Sequence, residues 1–247
     1  MSSVKSSVMS TCIVVPMKAP ACAKRRLSGL LNGAQREAVA LALYRQTLTF
    51  FAHHFSDTPL LVVTASEQIA DIAVSHGAQV LLEPVLTDAE RTLLLAGDKE
   101  AGLNHAVTLA AHWCREQGFE SQLLLPADIA ELNVAEIRHL LSAAGEMPSV
   151  VVCPAHDGGT NALLTSPPGV IPFRFGKQSS RAHLAEAHQR AIPARLLTLA
   201  QLTRDIDTPD DLRHWQGCLT AIPAPDQLDN LSSILAPAIT SPTRLNG

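Results

Sequence analysis

The run Gln122–Ile129, which reads QLLLPADI, constrains the fold more than any other segment of this chain. Three consecutive leucines that end at a proline indicate a strand buried on both faces, because proline cannot donate to the next rung of a sheet. Asp128 follows just beyond the end of that strand. In open parallel α/β sheets ligands bind beyond the carboxyl ends of the strands, so a carboxylate here is well placed to hold a cation. The alternative is that Asp128 only caps the turn that follows.

Composition narrows the classes of fold and partner open to this chain. With 247 residues, of which 47% are hydrophobic and 17% charged, it can bury a full core and suits one large α/β domain. The formal net charge of -4 gives no long-range attraction to polyanions, so neither a nucleic acid nor an anionic membrane is an expected partner. A nucleotide held by a few local cations is compatible with this charge.

Cysteine usage and the N-terminal sequence predict a cytoplasmic protein. The five cysteines are odd in number and scattered, with no Cys-x-x-Cys pair, which favours reduced thiols over a disulfide framework or a zinc site. The N-terminal apolar run, 12–17, is far shorter than a signal sequence or a membrane span. We expect a flexible leader at 1–10, a single domain at 11–216 and a weakly ordered tail at 217–247.

Strand-like and helix-like segments alternate along the domain. Short apolar or β-branched runs precede stretches with helical periodicity or a capping signal, such as Asn32 with Gln35 and Asn133 with Glu136. This alternation predicts an α/β fold with a mostly parallel sheet and helices on both faces. We expect strands at 11–15, 60–64, 79–82, 123–125, 149–153 and 194–199, and helices at 33–54, 67–76, 88–95, 102–117, 134–144, 180–191 and from 209 onward.

A cation-rich loop follows the first predicted strand. Lys18, Lys24 and Arg26 lie in a stretch with almost no anions. Such a loop at the carboxyl end of a strand can gather the charge of a phosphate group, although a solvated basic loop is the more common alternative.

Acids follow the last predicted strand. A helix with acids in its first turn explains Asp210 and Asp211, but it leaves Asp205 without a role. If Asp128 meets Asp205 and Asp207 at the shared edge of the sheet, two carboxylates about 4 Å apart would repel by roughly 4 kcal/mol at an effective dielectric of 20. A divalent cation removes that cost, and oxygen ligands without histidine or cysteine favour Mg2+. With the basic loop on the opposite wall, the site would suit attack at a nucleotide phosphate.

Two loops, 156–161 and 173–179, combine glycine with small hydrogen-bonding side chains, which lets backbone amides approach an anionic ligand. Ordinary tight turns use the same residues. Gly102 and Asn104 at the start of a predicted helix could also present N–H groups to an anion, although helix entry alone explains both. The sequence contains no Gly-x-x-x-x-Gly-Lys-[Ser/Thr] motif, which excludes a P-loop enzyme. The Gly-x-Gly-x-x-Gly motif is also missing.

Taken in order, these segments resemble one known family over nearly all of residues 11–216. Any single block is weak, but the ordered set is similar to the 2-phospho-L-lactate guanylyltransferase family. The blocks are VPMK at 15–18, KRRL at 24–27, GLN at 102–104, LPAD at 125–128, GTNAL at 159–163, FRFG at 173–176 with Ser179, and DIDTP at 205–209. The resemblance implies a Rossmann-like nucleotidyltransferase fold. It also implies transfer of GMP from GTP to a three-carbon phosphorylated acid, with release of pyrophosphate, in the biosynthesis of coenzyme F(420).

The family pattern assigns a role to each of these blocks. It makes Asp128 and Asp205 or Asp207 the Mg2+ ligands, and it implies a catalytic role for Asp128 together with the basic residues. Its remaining assignments are Lys18, Lys24 and Arg26 as ligands of the triphosphate, Asn104 as a nucleotide contact, and Thr160, Gly176 and Ser179 as ligands of the phosphorylated acid. A phosphate oxygen is already ionised at neutral pH, so no side-chain nucleophile or general base is required, and none of the ten histidines receives a catalytic role.

Two departures from the family pattern bear on the substrate and the assembly. Residues 85–101 lengthen a usually short link, which would alter a lid or the contact of a homodimer. The loop from Asp157 to Thr160 is one residue shorter than usual and belongs to the acid pocket. Family members differ among 2-phospho-L-lactate, phosphoenolpyruvate and 3-phospho-D-glycerate, and these departures favour one of the last two.

Alternative functions on the same fold predict different outcomes with nucleotides and acceptors. Another nucleotidyltransferase, with a sugar phosphate, a sugar acid or a molybdopterin as acceptor, would use a different nucleotide or acceptor. A non-catalytic nucleotide-binding module would bind GTP and release no pyrophosphate. A glycosyltransferase would require a nucleotide-sugar donor.

Overall fold

The computed structural model describes residues 11–84, 92, 101–144 and 147–219, with side chains up to residue 215. Seven strands form one sheet, and six helices pack around it within these ranges. The strands are β1 (Thr11–Pro16), β2 (Leu60–Thr64), β3 (Gln79–Leu82), β4 (Ser121–Leu124), β5 (Ser149–Pro154), β6 (Thr160–Ser166) and β7 (Ala194–Leu196). The helices are α1 (Gly33–His54), α2 (Glu67–Ser75), α3 (Ala101–Glu116), α4 (Val134–Ser142), α5 (Ser179–Gln189) and α6 (Pro209–Leu219).

The sheet has the order β3-β2-β1-β4-β6-β5-β7, and β6 alone among these strands runs antiparallel to both of its neighbours. Strand β1 lies between β2 and β4 and is parallel to both, with Ile13 opposite Leu60 on one side and Leu123 on the other. The carboxyl ends of β1 and β4 therefore lie side by side. This register brings the basic loop after β1 to the same edge of the sheet as Asp128.

Alternate residues of the central strands face two separate apolar layers. Ile13 and Leu123 pack with α1, α2 and α4, whereas Val14 and Leu124 pack with α3 and α5. All four side chains are buried. Full burial of one such side chain stabilises the fold by roughly 1.5–3 kcal/mol. A sheet covered by helices on both faces explains why β1, β2 and β5 are nearly continuous apolar runs.

A third apolar cluster lies outside these two layers and supports the edge of the sheet. Leu27 from the basic loop, Leu43 from α1, and Ile206 and Trp215 from the C-terminal segment pack together and are almost fully buried. This cluster fixes the basic loop against the acidic segment around residue 206.

The fold class predicted from the sequence is confirmed, and each predicted strand is present. The bounds of four strands differ from the prediction. Strands β1 and β5 each extend one residue further, β4 spans Ser121–Leu124, and β7 ends at Leu196. Helix α1 has the predicted capping box, in which the Asn32 side chain accepts from the Gln35 amide and the Gln35 side chain accepts from the Asn32 amide.

The α4 capping box is only half present. Asn133 accepts from the amides of Ala135 and Glu136, but the Glu136 carboxylate accepts from the amides of Gln201 and Leu202 instead of closing the box. Glu136 therefore anchors the chain just before the acidic segment.

Strand β6 is absent from the sequence prediction, in which Asn161 lies in a loop and no strand falls between residues 153 and 194. Strand β6 is buried along its whole length, yet four of its seven residues are polar, so it lacks the apolar run that signals a central strand. Gly158, with φ of 88°, turns the chain between β5 and β6. The Asp157 carboxylate accepts from the Gly159 amide in the same turn.

Some of the predictions fall outside the described residues. The leader at 1–10, the predicted helix at 88–95 apart from Thr92, and most of the insertion at 85–101 lie there. Helix α6 extends to Leu219, three residues past the predicted end of the domain, and the rest of the predicted tail is not described. Among the helices of the described ranges, none combines the length and apolarity needed to cross a bilayer.

Candidate active site

A short antiparallel bridge brings the acidic segment to the end of β4. Ile129 pairs with Asp205, the Ile206 amide donates to the Asp128 carbonyl at 3.0 Å, and the Ala130 amide donates to the Arg204 carbonyl at 3.1 Å. As a result, one carboxylate oxygen from each of Asp128, Asp205 and Asp207 lies within 4.8 Å of the others. The convergence predicted from the sequence is confirmed.

Lys24 lies among these acids. Its Nζ atom is 2.8 Å from Oδ2 of Asp128 and 3.4 Å from Oδ1 of Asp207, and it also donates to the Ile206 carbonyl. Only 5% of the lysine side chain is exposed. Arg26 pairs with the outer oxygen of Asp207, with Nη1 2.9 Å from Oδ2, but its side chain is exposed.

The expectation that Lys24 and Arg26 face the acids from an opposite wall is therefore wrong. Lys24 joins two 3₁₀ turns, Pro20–Cys22 and Arg25–Leu27, in a left-handed conformation with φ of 52°. The chain thus turns at Lys24, and its side chain enters the interior, where an ammonium group requires carboxylate partners. Lys18 lines the cavity described below with an exposed side chain and has no such contact among the described residues.

The charges of this cluster shift the pKa values of two of its members. Burial, together with the charges of Asp128 and Asp207, raises the pKa of Asp205 to about 6. Burial by itself would lower the pKa of Lys24, but the carboxylates of Asp128 and Asp207 outweigh it and raise that pKa above its usual value. Three carboxylates facing the two cations Lys24 and Arg26 leave one negative charge in excess.

This donor set fits a hard divalent cation. Carboxylate oxygens alone supply the ligand atoms, and all three acids are partly accessible from the cavity. Mg2+ favours one or two carboxylates together with phosphate oxygens. An excess of negative charge around converging carboxylates is the electrostatic setting that such a cation relieves.

A cavity of about 550 Å³ opens over the acids. That volume is within the range of small-ligand sites. Its floor is formed by the ends of β1 and β4. The polar and charged residues of its lining are Lys18, Lys24, Glu83, Asp128, Thr160, Asn161, Asp205 and Asp207. Burial raises the pKa of the Glu83 carboxyl.

Other residues proposed from the sequence sit behind this lining. The Asn104 side chain holds the Phe175 backbone through both its oxygen and its nitrogen, at 2.8 and 3.3 Å. Ser179 is buried, and its hydroxyl donates to Thr160 Oγ1 at 2.9 Å. Gly176 accepts from the Ser179 amide and has φ of 135°, a conformation that favours glycine.

The first amides of α5 are bonded within the protein. The Ser179 amide donates to Gly176, the Ser180 amide donates to Gly158, and the next two donate to Gln178. These amides are therefore not available to a bound anion, to which the N-terminus of α5 could contribute only its dipole.

The family of the chain follows from comparison with known proteins. The family model described as "Guanylyl transferase CofC like" matches residues 11–215. The chain belongs to this guanylyltransferase family. A 3-phospho-D-glycerate guanylyltransferase of Colwellia psychrerythraea is 48% identical over 204 residues, which cover 83% of this chain and 90% of that protein. A phosphoenolpyruvate guanylyltransferase of Roseiflexus sp. is 33% identical over 81% of this chain and 82% of its own length.

Solved structures agree with the guanylyltransferase fold. A cytidylyltransferase from Leptospira borgpetersenii superposes with a TM-score of 0.57 and covers 96% of this chain and all of its own. Its sequence identity is 11%, so the likeness concerns the fold alone.

Asn161 lies in the candidate site of this guanylyltransferase but is not among the site residues predicted from the sequence. Its side-chain amide donates to the Leu202 carbonyl at 2.9 Å and to Oδ1 of Asp205 at 3.4 Å. It thus orients Asp205, the one of the three acids that forms no ion pair with Lys24 or Arg26. The signal was its place directly after Thr160 in a glycine-containing loop, but the missing assignment of β6 hid the direction of its side chain.

Proposed function

We propose that this protein is a Mg2+-dependent guanylyltransferase that transfers GMP from GTP to 3-phospho-D-glycerate and releases pyrophosphate, within the biosynthesis of coenzyme F(420). The acceptor is chosen because the 48% identical relative carries that name, and phosphoenolpyruvate is the alternative from the 33% identical one. The two departures from the family pattern, the insertion at 85–101 and the short loop from Asp157 to Thr160, also favour these two acceptors over 2-phospho-L-lactate.

One observation carries the proposal. Three acids from distant parts of the chain converge beside a buried lysine at the carboxyl edge of the sheet, on the floor of a cavity large enough for a nucleotide. Sites that transfer nucleotidyl groups need this combination, because the transition state spreads negative charge over phosphate oxygens.

Asp128, Asp205 and Asp207 would hold the Mg2+ ion. When bound there, the ion would neutralise charge on the phosphates of GTP and on the departing pyrophosphate. Lys18, exposed at the cavity, is free to move to the triphosphate, and Lys24 and Arg26 add positive charge beside it.

The reaction requires positioning rather than an activated nucleophile. An ionised phosphate oxygen of the acid forms a bond to the α-phosphorus of GTP, and the bond from that phosphorus to the bridging oxygen breaks. The electron pair leaves with pyrophosphate. Thr160, backed by Ser179 and Gly176, would hold the acid in line for this attack. Asn104 would act on the nucleotide side by fixing the backbone of Phe175, a residue that lines the cavity.

A cytoplasmic location is part of the same proposal. The described cysteines Cys12, Cys22, Cys114 and Cys153 are free thiols, as expected in a reducing compartment.

The decisive assay follows pyrophosphate release from purified protein with Mg2+. Each of the four nucleoside triphosphates is combined with 3-phospho-D-glycerate, phosphoenolpyruvate or 2-phospho-L-lactate. We expect release with GTP alone, and most rapidly with 3-phospho-D-glycerate. Release with CTP or with a sugar phosphate would instead identify another nucleotidyltransferase. GTP binding without pyrophosphate from any acceptor would identify a non-catalytic module.

A further inference from the structure

His183 is a fully buried histidine that bridges two segments bordering the cavity, strand β6 and the loop before α5. Its Nδ1 atom is 3.1 Å from Thr160 Oγ1 on β6, and its Nε2 atom is 2.9 Å from the Arg174 amide in the loop before α5. The Phe175 ring stands edge-on to the imidazole, with ring centroids 4.9 Å apart. The imidazole therefore connects the strand that carries Thr160 to the loop that carries Phe175.

The hydrogen bonds of His183 fix its tautomer. A backbone N–H can only donate, so Nε2 must be an unprotonated acceptor for the Arg174 amide. A neutral imidazole with a bare Nε2 carries its proton on Nδ1 and donates from there to Thr160 Oγ1. Burial lowers the pKa of His183 to about 4; the charge of Glu186 opposes this shift, and the charge of Arg174 adds to it. The ring is therefore neutral at pH 7.

Two donors converge on the Thr160 hydroxyl oxygen. One is His183 Nδ1, and the other is the Ser179 hydroxyl at 2.9 Å. A hydroxyl oxygen has two acceptor positions, and both are filled. The hydroxyl of Thr160 can therefore take part in further bonds only by donating its own proton. Thr160 lines the cavity, so this proton is available to a group bound there.

We infer that His183 is a positioning residue that makes Thr160 a dedicated hydrogen-bond donor to an anionic oxygen of the phosphorylated acid. The inference rests on the proposed function and adds a determinant of substrate recognition. A hydroxyl that can only donate favours phosphate or carboxylate oxygens, which only accept, over a ligand hydroxyl or ammonium group that must donate. His183 does not touch the substrate and acts through Thr160.

Two substitutions separate the two hydrogen bonds of the ring. In His183→Asn the side-chain NH₂ lies near the former Nδ1 and can still donate to Thr160. In His183→Gln the side-chain oxygen can reach the former Nε2 position and accept from Arg174, but no donor remains for Thr160. We expect His183→Gln to raise the KM for 3-phospho-D-glycerate roughly 10-fold, with the KM for GTP within about 2-fold, and His183→Asn to raise it less.

A double-mutant cycle distinguishes this role from a merely structural one. In a Thr160→Val background no hydroxyl remains to be oriented, so His183→Gln should cause no further rise in the KM for the acid. The same rise in both backgrounds, or a wild-type KM in His183→Gln, would overturn the inference. If the wild-type protein releases no pyrophosphate, the proposed function fails instead.

The tautomer of His183 can be measured in the wild-type protein. ¹⁵N NMR of the wild-type protein, with His183 assigned through its contact to the Phe175 ring, should show a protonated Nδ1 and a bare Nε2 at pH 7. A proton on Nε2 would contradict the inference, irrespective of the enzyme's activity.

Discussion

The ammonium group of Lys24 lies 2.8 Å from a carboxylate oxygen of Asp128, across 104 positions of sequence. Lys24 is almost completely buried, whereas Asp128 is about one-third exposed to the cavity. Removing an ammonium group from water is costly, and only close carboxylates offset that cost. Lys24 therefore stabilises the folded acid cluster, and in the proposed mechanism it also places positive charge beside the phosphates.

Lys24→Met should affect stability and activity together. The substitution leaves Asp128 and Asp207 without the buried cation, and loss of one partner of such a pair costs about 3 kcal/mol. We expect the free energy of unfolding in urea to fall by about that amount, together with the rate of pyrophosphate release.

Lys18→Met should affect activity alone, because the Lys18 side chain is exposed and makes no ion pair among the described residues. Arg25→Met, an exposed cation in the same loop, is the matched control for both lysines and should leave stability and turnover within error. A Lys24→Met protein as stable as the wild type would show that the buried pair is dispensable.

Asp128→Asn tests the acid cluster with the smallest change of shape. The amide keeps the volume of the side chain but supplies no negative charge to a metal ion. We expect kcat to fall at least roughly 100-fold. Isothermal titration of Mg2+ in the presence of a non-hydrolysable GTP analogue should show weaker binding by the variant.

Asp210→Asn is the control for that experiment. Asp210 lies in the first turn of α6, is exposed and pairs with Arg213 rather than with the cluster. Its substitution should change kcat by less than about 2-fold. Equal activity of the Asp128 and Asp210 variants would remove Asp128 from the site.

The acid cluster was predictable because the positions of strand ends follow from simple patterns. An apolar run ending at a proline locates the carboxyl end of β4, and the helix-capping pattern at Asp210 and Asp211 singles out Asp205 as the acid left unexplained. In a mostly parallel sheet, residues just beyond strand ends share one edge. Sequence patterns of this kind therefore indicate which residues lie at the edge of the sheet that forms the candidate site.

The direction of individual side chains was not predictable in the same way. The inward path of Lys24 depends on a left-handed backbone conformation that a non-glycine residue rarely adopts and that no local motif signals. The role of His183 depends on β6, whose polar residues conceal a buried strand. The side-chain direction of Lys24 and the role of His183 both depend on tertiary packing, which the periodicity of a sequence does not reveal.

Asn161→Ala should weaken the fold and the site together. It removes the donor to the buried Leu202 carbonyl, and an unsatisfied group of this kind costs about 1–3 kcal/mol. It also releases Asp205 from its amide contact. We expect a lower free energy of unfolding and at least roughly a 10-fold loss in kcat, since Asp205 is a proposed metal ligand and its displacement would weaken catalysis.

Asn133→Ala is a matched control, because it makes the same Asn-to-Ala change at a position away from the acids. Asn133 caps α4, so its removal should cost about 1 kcal/mol in stability. Pyrophosphate release below the unfolding transition should be unchanged, because Asn133 has no contact with the acids. Similar losses of kcat in the two variants would indicate that Asn161 acts through stability alone.

Acid should destabilise the protein through His183. In the unfolded chain the pKa of this imidazole is near 6.5, but burial lowers it to about 4 in the folded protein, where Arg174 lowers it further and Glu186 opposes the shift. Between these values the unfolded state binds more protons, so the contribution of His183 is complete above pH 6.5 and is lost as the pH falls towards 4. At 1.36 kcal/mol per pH unit, the loss over this window is about 3 kcal/mol.

Urea denaturation at pH 7 and at pH 4.5 should reveal this loss when variants are compared with the wild type. His183→Asn removes the titrating ring, so the stability of that variant should fall less between the two pH values than that of the wild-type protein. His188→Asn, an exposed histidine on the same helix, should follow the wild-type curve. If His183→Asn lost as much stability as the wild type over this interval, other groups would account for the acid sensitivity and the buried ring would not be its source.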